Sequence, residues 1–102
     1  MHETDKTWLD ENGFIKSREN KNTAFFARSL GKTVITVGVP LNEALGCFAA
    51  ISLKTDGWKP IISERKESAK EAVHEVLDEL NTMANDISEI RDFLFDRQKQ
   101  SL

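Results

Sequence analysis

The apolar positions follow two rhythms along the chain, and the change comes near residue 62. Upstream of it, short runs alternate. From Thr33 to Val39, Ile35, Val37 and Val39 fall on one side and Thr36 and Gly38 on the other, the period of a half-buried strand. Ala24–Arg28 reads as a shorter strand before it, with "SLGK" (29–32) as a glycine-containing hairpin loop. A third strand is predicted over "CFAAISLKT" (47–55), where Cys47, Ala49, Ile51 and Leu53 share a face. The small pair Ala49-Ala50 leaves room for another element to approach closely. "PLNEALG" (40–46), with Pro40 at its start and Gly46 at its end, reads as a loop or a single helical turn. Asp56-Gly57 is the clearest turn signal, and "WKPII" after it predicts a short return strand that Pro60 restricts to a sheet edge. Nearer the N-terminus, Asn12-Gly13 sits between Trp8-Leu9 and Phe14-Ile15, as in a tight hairpin or an anchoring turn. Residues 1–7 read as a frayed terminus and "SRENKN" (17–22) as a polar loop.

Downstream the period lengthens. Apolar residues fall at Ala69, Val73, Val76, Leu80, Met83, Ile87, Ile90 and Leu94, in steps that alternate between four and three, a heptad seam. No Pro or Gly interrupts residues 61–102. Ser63 before Glu64, or Ser68 in a Ser-x-x-Glu capping box with Glu71, marks the start of the helix. A helix from Glu64 to Arg97 would be roughly 50 Å long, whereas a seven-residue strand spans about 23 Å. A sheet therefore covers about half of the stripe. The remainder calls either for a partner or for a break near "NTMAND" (81–86), whose residues are weaker helix formers. The seam keeps its phase through that segment, which favours one continuous helix. A stripe of this length more often faces a core than forms a coiled coil, and Leu77 and Ala84 widen it. Phe93, Leu94 and Phe95, however, are consecutive and surround too much of the helix for one sheet to bury.

The pattern as a whole predicts an α+β fold in a single domain over residues 1–102: a small antiparallel sheet of three or four strands within residues 8–62, then one long amphipathic helix over 63–98. One domain is also what this length favours.

Composition narrows the classes of function. The chain is 39% hydrophobic and 30% charged with a formal net charge of −3, unlike the strongly basic footprint of a typical nucleic-acid binder. The acidity is segregated: residues 1–60 carry eight Lys and Arg against seven Asp and Glu, and residues 61–102 carry six against ten. A single cysteine, Cys47, excludes an internal disulfide and a cysteine-based metal cluster, and fits a reducing compartment. The polar start "MHETDKTWLDENG" does not read as a signal peptide, and no run reaches the length of a membrane span. A cytoplasmic protein without a membrane anchor is expected.

Candidate chemistry is sparse. "SLGKT" (29–33) ends like a phosphate-binding loop, but position 26 is Phe26 where the motif needs Gly, and a strand follows where it needs a helix. His74 lacks a second His four residues on, where Asp78 stands instead, so the zinc-protease pattern is missing. Cys47 on an apolar strand face reads as a small core residue. No catalytic residue, cofactor or metal ligand is assigned.

The expectation is a non-enzymatic protein-interaction module, a small regulator or inhibitor of a partner protein whose identity the residues do not encode. It would form a homodimer through Val76, Leu80, Met83, Ile87, Ile90 and Leu94. In a parallel pair, Asp86 would face Arg91 of the other chain, a modest preference for that orientation. Phe93, Phe95 and the acidic positions Glu71, Glu75 and Asp78 are further candidates for partner contact. With Glu89, Asp92 and Asp96, the acidic positions form a face that could occupy the basic groove of a nucleic-acid-handling partner, although Lys70 and Arg91 interrupt it. The alternative is nucleic-acid binding by the sheet through Arg28, Lys32, Lys54, Trp58 and Lys59. An excess of one positive charge over residues 1–60 ranks it lower, because such binding depends on releasing counterions.

Overall fold

A computed structural model describes residues 3–54 and 59–100, with side chains through Leu94. A helix α1 (Glu3–Glu11) leads into five strands, β1 (Ile15–Glu19), β2 (Thr23–Leu30), β3 (Thr33–Pro40), β4 (Phe48–Leu53) and β5 (Ile61–Ile62), and a long helix α2 (Ala69–Gln100) follows. The strands form one antiparallel meander in chain order, β1-β2-β3-β4-β5. The α+β arrangement and the long C-terminal helix agree with the sequence pattern.

Several local expectations are corrected. Residues 3–7 belong to α1 and are not frayed: Leu9 and Asp5 of this helix are buried. Of the two readings of Asn12-Gly13, the hairpin is excluded and the turn stands, since the pair ends α1. The Phe14 amide reaches back to the Leu9 carbonyl (2.9 Å) and the Gly13 amide to that of Asp10 (3.3 Å), with Gly13 at a φ of 79°. This is the Schellman pattern, which needs a residue in the left-handed region and brings an apolar pair together at the helix end. Here that pair is Phe14 and Leu9, both in the core. Ser17–Glu19, expected as loop, lies in β1, so the sheet has five strands. The helix begins at Ala69, not at Ser63: the Ser68 hydroxyl accepts the Glu71 amide (3.1 Å). Ser63 instead accepts the Ala49 amide (2.9 Å), fastening the chain beside β4. The turn expected at Asp56-Gly57 lies outside the described residues.

The core lies between one face of the sheet and the two helices. Ala24 and Phe26 of β2, Val37 and Val39 of β3, and Ala49 and Ile51 of β4 meet Leu9 of α1 and Ala69, Ala72, Val73 and Val76 of α2. Alanines on both sides, Ala49 in β4 and Ala69 and Ala72 in α2, let the helix lie close to the strands. Burying a residue such as Val37, Val39 or Val76 is favourable by about 1.5–3 kcal/mol.

Asp5 joins the two helices. Its Oδ1 accepts the Ala69 amide (2.9 Å) and its Oδ2 accepts the Cys47 thiol (3.7 Å). A carboxylate at the first amides of α2 satisfies a donor that the helix cannot, and it complements the helix dipole.

Candidate interaction surfaces

Beyond the core, α2 continues without a break through Asn81–Asp86, and the molecule measures 61 × 25 × 23 Å as a result. The heptad stripe is therefore divided by its surroundings. Ala69, Val73 and Val76 are buried in the core, and Leu80 is half-buried at its margin. Met83, Ile87, Ile90 and Leu94 remain exposed by 36, 63, 60 and 53%, with Phe93 at 62% beside them. The proposed self-association set thus loses Val76 to the intramolecular core and keeps the distal positions. Phe95 lies outside the described side chains.

The acidic positions are not all available. Glu75 pairs with Lys66 (3.0 Å) and accepts the Glu64 amide (2.7 Å). Both contacts hold its carboxyl below the usual range, and the same pairing raises Lys66 above its ordinary value. Glu75 therefore anchors the segment before α2, while Glu71 and Asp78 stay exposed. The face is broken where a phosphate mimic would need continuity.

Of the basic residues expected on the sheet, Arg28 is set apart from the three lysines. Arg28 has the same strand phase as Ala24 and Phe26, so it lies on the helix side, where its Nη1 donates to the Asn12 carbonyl at the end of α1 (2.8 Å). Lys32 and Lys54 share one end of the sheet, where the Lys54 amide bonds the Lys32 carbonyl (2.7 Å), and Lys59 precedes β5 at that same end. Trp58 lies outside the described residues.

The outer face of the sheet carries a different row. Strand register places Arg18, Phe25, Gly38 and Phe48 side by side across β1 to β4. Phe25 and Phe48 meet edge to face at 6.1 Å over Gly38, where a Cβ would come within 2.4 Å of the Phe48 ring. The Arg18 guanidinium lies 4.4 Å from the Phe25 centroid, and that of Arg65 lies 5.5 Å from the Phe48 centroid. Arg65 is also held by the Gly46 carbonyl (2.8 Å). None of the strand residues turned to this side is acidic. Sequence reading missed the row because its members come from four separate segments. The one available signal was the doublet Phe25-Phe26, which in a strand must place a ring on each face.

Cys47 is buried, and its thiol is pushed up to about 12, first by burial and then by the Asp5 carboxylate. A thiol so disposed stays protonated and serves as a donor to Asp5, not as a nucleophile. Among the described residues, no three His, Cys, Asp or Glu side chains are grouped to hold a metal ion, and no helix is long and apolar enough to cross a membrane. Comparison with known family models, curated proteins and solved structures finds no match for this chain.

Proposed function

We propose that this chain is a small non-catalytic interaction module of the cytoplasm, a regulator or inhibitor of a partner protein, that self-associates through the distal half of α2. One observation carries the reading: the stripe that packs the sheet at Val73 and Val76 runs on in phase, exposed, through Met83, Ile87, Ile90 and Leu94. With Phe93, these side chains leave roughly 500 Å² of apolar surface open, within the range of the largest patch on a typical soluble monomer, which is often functional. Light scattering at tens of micromolar should give twice the chain mass of 11.6 kDa. Ile87→Asp with Ile90→Asp should return a folded species of single chain mass. A single-mass species for the unaltered chain at that concentration would refute the reading.

The outer sheet face supports a second reading, single-strand nucleic-acid binding, in which bases stack against the arginine-capped rings. This relocates the contact from Lys32, Lys54 and Lys59 to Arg18 and Arg65. Oligonucleotide binding that weakens steeply with salt and is lost in Arg18→Glu with Arg65→Glu would establish it. We expect no such binding at physiological salt, because the chain as a whole is acidic.

A further inference from the structure

The orientation of the pair follows from where the sheet lies. We infer that two copies associate antiparallel through the distal halves of α2, with Met83 opposite Leu94 of the second copy and Ile87 opposite Ile90. This inference rests on the self-association proposed above and specifies its occupant as a second copy in one orientation.

The stripe along α2 keeps a single phase, so its buried and exposed halves lie on the same side of the rod. The sheet therefore occupies the very side on which a pairing helix must sit. Paired helices lie 8–10 Å apart, about 10 Å at the wide end of that range. A sheet with its inner side chains fills about that thickness by itself. In a parallel pair both sheets would have to fit between the two helices over Ala69–Leu80, which the spacing excludes. Antiparallel pairing sends the two sheets to opposite ends and leaves the exposed stripes to face each other, with the overlap confined to one helical turn, where residues 97–100 of one copy approach residues 77–80 of the other at the sheet margin.

Side-chain chemistry permits this arrangement. With Ile87 opposite Ile90, the flanking positions set Arg91 beside Ala84 of the second copy and Asp86 beside Phe93, so no like charges meet across the seam. The parallel alternative would gain the Asp86–Arg91 pairs. Exposed pairs of that kind are screened by solvent and contribute little, too little to offset the overlap of two sheets. The buried area is on the order of 1,000 Å², at the lower limit for a specific interface, so the dimer should dissociate on dilution into the low micromolar range.

Spin labels test the orientation in the full-length chain. Asp78→Cys and Ser88→Cys are labelled separately, with Cys47 left in place because its buried, protonated thiol does not compete. In the antiparallel pair the two Ser88 labels lie near the two-fold axis and should be close, within about 20 Å given helix axes 8–10 Å apart. The two Asp78 labels should be separated by 21 helical positions, roughly 31 Å along the axis. Asn81→Cys, also exposed, provides the same comparison at roughly 22 Å if Asp78→Cys fails to fold. A dimer in which Asp78 and Ser88 labels are both close is parallel and overturns the inference while leaving self-association intact. A dimer with distant Ser88 labels uses another surface and overturns both. A monomer by light scattering removes the self-association on which the orientation depends.

Discussion

Asp5 is a carboxylate with almost no contact with water, and its two hydrogen-bond donors come from residues 42 and 64 positions away. Burial of a polar group is tolerated when its bonds are made and costly when they are broken. Asp5→Ala would leave the Ala69 amide without its acceptor, and an unsatisfied buried donor costs about 1–3 kcal/mol. The midpoint of urea unfolding should fall accordingly, with Asp5→Asn, which keeps an acceptor oxygen, less affected than Asp5→Ala. An unchanged midpoint in Asp5→Ala would mean that the bonds to Ala69 and Cys47 add nothing to the packing of Leu9 in holding α1 to α2. None of this was legible locally, because both donors belong to segments that only the folded chain brings near. In the sequence, Asp5 is one more charge in a polar stretch. Cys47 was more readable: its apolar strand face implied burial, and only the bond to Asp5 was hidden.

Among the elements, those that bury a repeating face announced themselves. β2, β3 and β4 alternate, α2 keeps its heptad steps, and Pro60 confines β5 to an edge. The elements that were missed lack such a face. β1 is exposed at every position and is recruited by pairing with β2, so "IKSRE" shows no apolar alternation. α1 offers Trp8 and Leu9 over a mere nine residues, too few turns for a period to emerge. Its Asn-Gly ending serves helix caps and hairpins alike, because both need positive φ. Within α2, the two halves should differ measurably. An isolated helical segment of this length is marginal in water, so amides beyond Met83 should exchange their hydrogens quickly in dilute solution and slow down as concentration rises. Amides at Val73–Leu80, held against the sheet, should be protected at any concentration. Equal protection of both halves at high dilution would show that the distal helix stands without a second copy.

For the molecule as a whole, the joining of Asp5 to Ala69 means that α1 can be fixed in place only once the start of α2 is present. Every strand pairs with its neighbour in sequence, and such short-range pairings cost less loop-closure entropy than distant ones. The sheet can therefore assemble while the chain is still being synthesised. Its inner face, with Ala24, Phe26, Val37, Val39, Ala49 and Ile51, stays uncovered until Ala69–Val76 arrive and α1 closes onto them. Exposed apolar surface in that interval is where aggregation competes with folding. The segment that completes the core precedes the stripe that, on the proposed reading, recruits a second copy. The residues that complete the fold and those that would recruit a second copy are thus separate along the chain, so pairing could be lost without loss of the fold.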